Sequence, residues 1–177
     1  MRVSLRCLSA IVLASSLAAG PVSAQIEKGD KALAVQGLFA ASVGTQEFVG
    51  FGMAAAGLSF FQTRNLAWHL VAVVAGANVS GEVTVVPGLG GGVEWDFNEQ
   101  NATTIPYVGV DAVQVFAKDA NATTVAANAG LRFFISRSTS FDAAATYNQP
   151  VSGGDNSSGE LQFRLGFSFF FAKDTRK

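Results

Sequence analysis

The sequence predicts an all-β fold: an eight-stranded antiparallel up-and-down transmembrane β-barrel behind an N-terminal signal peptide. Three observations carry this expectation. Apolar and polar residues alternate almost throughout the chain after Ala24, the spacing that sends successive side chains to opposite faces of a strand. Hydrophobic residues make up 49% of the chain and charged ones 14%, yet no apolar run reaches the roughly 20 residues that a membrane helix needs. Clusters of Gly, Asn, Ser and Asp interrupt the alternation at intervals that suit hairpins.

The first residues read as a leader. Arg2 and Arg6 precede an apolar run, Leu8 to Ala19, which Gly20-Pro21 ends before the small-residue cleavage site Val22-Ser23-Ala24. The expected organisation is a signal peptide over 1–24, an outer-membrane barrel over 25–171 and a short periplasmic tail over 172–177. Cys7 lies before the apolar run and beside Arg6, which is not where a lipid-anchor cysteine sits. It is the only cysteine, so the domain after the leader must be held by burial and backbone pairing, without disulfides. The chain carries 12 Lys and Arg against 13 Asp and Glu, and no segment clusters the basic ones; nucleic acid is not an expected partner.

Each strand follows from its alternation. The first is expected near Ala32 to Ala41 and the second over Phe48 to Phe61, where the faces cannot be assigned and a bulge is expected. In the third, Leu66, Trp68, Leu70, Ala72 and Val74 alternate with Ala67, His69, Val71 and Val73. The fourth sets Val83, Val85, Leu89, Val93, Trp95 and Phe97 against Glu82, Thr84, Gly88, Gly90, Gly92, Glu94 and Asp96. The fifth, Thr104 to Phe116, sets Pro106, Val108 and Val110 against Tyr107, Gly109 and Asp111. The sixth sets Val125, Ala127, Ala129, Leu131, Phe133 and Ile135 against Thr124, Ala126, Asn128, Gly130 and Arg132. In the seventh, Phe141, Ala143, Ala145 and Tyr147 alternate with Asp142, Ala144, Thr146 and Asn148. The last is the clearest: Leu161, Phe163, Leu165, Phe167, Phe169 and Phe171 against Gln162, Arg164, Gly166 and Ser168. Connectors are expected at Ser42 to Glu47, Gln62 to Asn65, Ala77 to Gly81, Asn98 to Thr103, Lys118 to Ala122, Ser136 to Ser138 and Gln149 to Ser158.

Face composition decides what each side meets. One face is Leu, Val, Phe and Trp almost without charge; the other interleaves Glu94, Asp96, Asp111, Arg132, Asp142 and Arg164 with Gly and Ala. Small residues among long charged ones suit a narrow lumen, where the small make room for the long, and they have no such purpose against bulk water. With strands running up and down in turn, Phe60, Phe61, Trp68, Trp95, Phe97, Tyr107, Phe133, Phe141, Phe169 and Phe171 fall at one level, and Phe39, Phe48, Phe51, Phe116 and Tyr147 at the other. Such girdles mark the two interfaces of a bilayer. A soluble barrel of the same pattern would expose Leu161 to Phe171 as an aggregation-prone strand.

Three stretches, Ala56-Gly57-Leu58-Ser59-Phe60-Phe61 before the turn at Thr63-Arg64-Asn65, Ile105-Pro106-Tyr107-Val108-Gly109, and Ala129-Gly130-Leu131-Arg132-Phe133-Phe134 before Arg137, together with the aromatic-ended last strand, resemble the eight-stranded outer-membrane barrels of the OmpA and OmpX kind. The resemblance spans nearly all of the chain after the leader, and its motifs encode strand and turn physics rather than chemistry. It implies contact with outer-membrane lipids and with the barrel-assembly machinery during biogenesis. Such proteins often end on the final aromatic, whereas here Ala172 to Lys177 follow Phe171.

Chemistry finds little purchase. His69 is the only histidine and cannot supply a multi-histidine metal site, and no spacing of Asp96, Asp111, Asp142 and the serines suggests a catalytic triad. Gly88-Leu89-Gly90-Gly91-Gly92 has the look of a phosphate loop, but a strand with acids follows it where a helix N-terminus would be needed; glycines facing long lumenal side chains explain it better. The sequons at Asn78, Asn101, Asn121 and Asn156 are read as connector residues. No catalytic, metal or cofactor site is expected. The residues singled out are the lumenal charges Glu94, Asp96, Asp111, Arg132, Asp142 and Arg164, which must pair or stay wet. The reading preferred is a salt-bridged plug in a structural envelope protein of the Gram-negative outer membrane; the alternative is a narrow channel or carrier for small or hydrophobic solutes.

Overall fold

The computed structural model describes residues 26–41, 49–79, 82–99, 102–117, 121–152 and 159–172. The leader, the connector Ser42 to Glu47 and all of the tail except Ala172 lie outside these residues. Eight strands form one closed antiparallel barrel in sequence order: β1 (Lys31–Ala41), β2 (Val49–Phe61), β3 (Leu66–Val79), β4 (Glu82–Asp96), β5 (Thr104–Phe116), β6 (Asn121–Ser136), β7 (Thr139–Ser152) and β8 (Glu160–Phe171). β1 closes the ring on β8, with Val35 opposite Phe167. Closure leaves no unpaired sheet edge, the condition under which strands can sit in lipid.

Alternation sets the faces as expected. On β8, Phe163 is 67% exposed and Leu165 56%, while Gln162, Gly166 and Ser168 are buried. β2 resolves in the same way: Met53, Ala55, Gly57, Ser59 and Phe61 turn inward and Ala54, Ala56, Leu58 and Phe60 outward. The bulge expected there is absent, for β2 pairs in unbroken register with both neighbours. Register shifts fall instead between β6 and β7, at Thr123/Thr124 and at Phe134/Ser136. The first sits where Thr124 meets Pro150, which has no N–H to give the ladder; the second adjoins the tight turn at Arg137-Ser138.

Strands also run further than the connectors implied. Asn78 lies within β3, Asn121 opens β6, and β7 continues through Gln149 to Ser152, so two of the sequons belong to strands. Asn101 and Asn156 lie outside the described residues. Between β2 and β3 the turn is as expected: the Thr63 hydroxyl accepts the N–H groups of Asn65 (3.1 Å) and Leu66 (2.9 Å).

The aromatic ring at the end carrying the short turns is built from cross-strand partners. Phe60 stacks on Trp68 (4.3 Å between centroids), and Phe141 contacts both Phe133 (6.4 Å) and Phe167 (5.6 Å). Three expected girdle members face inward: Phe61 (2% exposed), Tyr107 (4%) and Phe51, which lines the lumen. Their positions share parity with Ser59, Gly109 and Met53, so the pleat, not the level along the barrel, decides where they point. At the loop end, Phe116 and Tyr147 are exposed; the Phe39 side chain and Phe48 lie outside the description.

An arginine at the middle of β8's apolar face tests the assignment of that face to lipid. Leu165→Arg is expected to lower stability in lipid vesicles by about 2–4 kcal/mol, the range for a cation at the bilayer midplane. Denaturant titration of the reconstituted barrel measures it; a change near zero would place that face in water.

Candidate functional site: the layered lumen

The barrel's interior is stacked in layers. The turn end is filled by Ile26, Ala32, Phe61, Ala67, Ile105, Phe134 and Phe170, all buried. Phe170 touches both Phe61 (6.0 Å) and Phe134 (5.1 Å). Ile26 comes from the segment preceding β1, which folds back over this end through a turn at Gly29 (φ 94°), whose N–H bonds Phe61 O at 2.8 Å. Asn98 holds the same segment by donating to Ile26 O (3.3 Å) and to Arg64 O (3.2 Å). Nothing in the alternation marks residues before β1 as a stopper, because the segment is too short to show a period.

On this apolar base sits Arg132. Its guanidinium donates to Asp96 (2.6 Å) and Glu94 (3.0 Å), and Nε lies 3.3 Å from Asp142 Oδ1, within ion-pair reach though misaligned for a hydrogen bond. Its guanidinium carbon lies over the rings of Tyr107 (4.8 Å to the centroid) and Phe170 (5.5 Å). Asp142 is held in turn by the hydroxyls of Ser140 (2.9 Å) and Ser168. β6 thus bonds β4 and β7 at once, and β8 joins through Ser168. Four of the six expected lumenal charges meet here.

Asp111 belongs to a second group. Oδ1 lies 2.5 Å from His69 Nε2, and Oδ2 accepts from Asn128 at 2.8 Å. Gly92 makes this possible: it is the register partner of both His69 and Asp111, and a Cβ there would collide with the Asp111 carboxylate. Gly130 does the same for Tyr107, whose ring occupies the place its Cβ would take. Of the Gly88–Gly92 run, Gly92 meets the expectation of a glycine opposite a long lumenal group, whereas a Cβ on Gly88 or Gly90 would meet Val73, Val113 and backbone atoms. Arg164 stands apart. No carboxylate of the described residues comes within ion-pair distance of it, and its contact is with Asn148 Oδ1 at 3.4 Å.

Sequence reasoning passed over Ser59, which pairs with His69 across β2 and β3 and so completes a Ser, His, Asp line on the lumen wall. The nitrogen that takes a serine proton in the usual triad, Nε2, here faces Asp111, and no hydrogen bond joins Ser59 to the ring. Among the described residues no group of His, Cys, Asp and Glu is placed to hold a metal ion.

Toward the loop end from Arg132 a cavity of about 280 Å³ remains. Polar side chains (His69, Asp111, Asn128, Thr146, Asn148, Gln162 and Arg164) share its wall with apolar ones, Phe51, Met53, Val73, Val86, Val113 and Val115.

No family model matches the sequence, and a search of curated proteins finds no match. Solved structures do share the fold. The N-terminal β-barrel domain of OprF from Pseudomonas aeruginosa superposes with a TM-score of 0.58 at 14% identity, covering 81% of this chain and 98% of that one. Neisserial surface protein A, NspA, does so with a TM-score of 0.50 at 15% identity, over 79% of this chain and 94% of that one. The chain therefore shares with these proteins the fold of a closed eight-stranded antiparallel barrel.

Two substitutions probe the layers. Arg132→Met strands the buried Asp96 and Asp142 and the half-buried Glu94 and is expected to cost about 3–5 kcal/mol, most of it recovered when Glu94→Gln, Asp96→Asn and Asp142→Asn are added. Urea titration followed by the cold electrophoretic mobility of the folded barrel reads both. Gly92→Val is expected to part His69 from Asp111 and cost about 1–3 kcal/mol in the same assay.

Proposed function

We propose that this chain is a structural barrel of the Gram-negative outer membrane that neither conducts nor catalyses. The observation that carries this reading is the closed turn end, where Arg132 and its three carboxylates rest on the plug of Ile26, Phe61, Ile105, Phe134 and Phe170. An eight-stranded interior is only just wide enough for side chains to fill. Here charged groups fill it by pairing, and apolar ones seal the exit, so an ion would have to break a buried salt-bridge network to pass.

The membrane assignment is supported by the apolar outer face, by the aromatic ring at the turn end and by the fold shared with the OprF domain and NspA. In this reading lipid is the principal partner, with the assembly machinery engaged during biogenesis. The absence of turnover is supported by the His69 ring being turned toward Asp111 and away from service to Ser59. The cavity beyond Arg132 favours a second reading, a carrier for a small solute, and the plug weighs against transit.

Planar-bilayer recording tests the reading. The native barrel, shown to be inserted by its heat-modifiable band, is expected to give no conductance steps, while Arg132→Gly with Phe170→Ala is expected to open discrete ones. Steady conductance of the native protein would establish the channel instead.

A further inference from the structure

Arg132 and Arg164 are both lumenal, yet they are treated in opposite ways. The carboxylates Glu94, Asp96 and Asp142 are engaged by Arg132, and both oxygens of Asp111 are taken by His69 and Asn128. Arg164 is left without an anion within ion-pair distance among the described residues. Its surroundings share the deficit. Arg164 Nε, Asn148 Nδ2, Thr146 Oγ1 and Gln162 Oε1 are buried without a hydrogen-bond partner, and all four residues line the cavity. Thr146 is fully buried and Gln162 is 8% exposed; the two are register partners on β7 and β8. Buried polar groups are normally satisfied, and a cluster of unsatisfied ones on a single wall marks a place for something not part of the chain.

We propose that this wall is the head-group site of a lumenal pocket for a small monocarboxylate with a compact apolar body. The Arg164 guanidinium matches a carboxylate in charge and planarity, and the Thr146 hydroxyl and Asn148 amide, closed off as they stand, add donors beside it once their side chains turn into the cavity. Gln162 can turn its amide to present its NH₂ to the same anion. Phe51, Met53, Val73, Val86, Val113 and Val115 supply an apolar lining for the body. Arg164 is the cation of this lining that no carboxylate of the described residues engages, while Asp111 and Glu160 also line the cavity, so the site suits at most one negative charge and a phosphate dianion would bring a second without a counter-charge. Water alone would bond the polar groups but would neither neutralise Arg164 nor suit the apolar lining. A cavity of about 280 Å³ suits a small ligand of about ten heavy atoms. The site goes beyond the structural reading, since the cavity lies on the loop side of the plug and needs no passage through the barrel.

The test uses the full barrel in lipid nanodiscs with 3-phenylpropionate as probe, by calorimetry and by the carboxyl shift of the ¹³C-labelled acid. Saturable one-to-one binding is expected, at least tenfold weaker for 3-phenylpropanol and for 3-phenylpropylamine. Arg164→Gln is expected to weaken the acid at least tenfold while the heat-modifiable band persists, and Val113→Trp, which fills the cavity and leaves Arg164 in place, to abolish binding. Should Arg164→Gln fail to fold, Thr146→Val and Val113→Trp decide the matter by the same readouts. Non-saturable uptake unchanged by the variants would be partition into lipid and would overturn the site, as would an alcohol that binds as well as the acid, or no binding at all.

Discussion

The turn-side half of this barrel's interior is arranged around Arg132. Placing a guanidinium in a lumen a few side chains wide demands counter-charge, and the fold supplies it from strands on both sides: Glu94 and Asp96 on β4, Asp142 on β7. Each of those acids would be costly to bury alone, so the cluster is stable only as a set. The rings of Tyr107 and Phe170 lie beneath the guanidinium carbon, and Ser140 and Ser168 satisfy the carboxylate that Arg132 reaches least well. The apolar layer beneath, with Ile26, Phe61, Ile105, Phe134 and Phe170, completes the arrangement at the turn end.

The outer surface obeys a simpler rule. Leu, Val and Phe face outward because the pleat allows only two directions and the other direction is taken up by charge. In the membrane barrel proposed above, lipid does for the outside what core packing does for a soluble protein, and the barrel inverts the usual distribution with its polar groups within. The stacked Phe60 and Trp68 and the chain of Phe133, Phe141 and Phe167 show that register, which sets these pairs, also sets the aromatic ring.

Strand number, topology and the inward set Glu94, Asp96, Asp111, Arg132, Asp142 and Arg164 were legible because a period of two is a local signal that survives without knowledge of the fold. The division of those residues into an Arg132 cluster, an Asp111 pair and a lone Arg164 was not legible, since it depends on which strands curve toward one another across the lumen. Phe51 and Phe61 were placed in the girdles by level alone, because the faces of Phe48 to Phe61 cannot be assigned from the sequence, and Tyr107, inward by the parity of its strand, was drawn into the girdle by its level. Ile26 was overlooked for the opposite reason: it lies outside any strand, and its role appears only when the chain folds back over the barrel's end.

The glycines of β4 carry a consequence for how this sequence can change. Gly92 holds open the gap across which β3 and β5 touch, so the residues at 69, 92 and 111 share one volume rather than occupying three. A side chain gained on β4 must be matched by one shortened on a neighbour, and the same bargain joins Gly130 to Tyr107. Lumenal positions in such a barrel are therefore expected to drift in compensating groups, while the lipid-facing positions, which need only be apolar, vary one at a time.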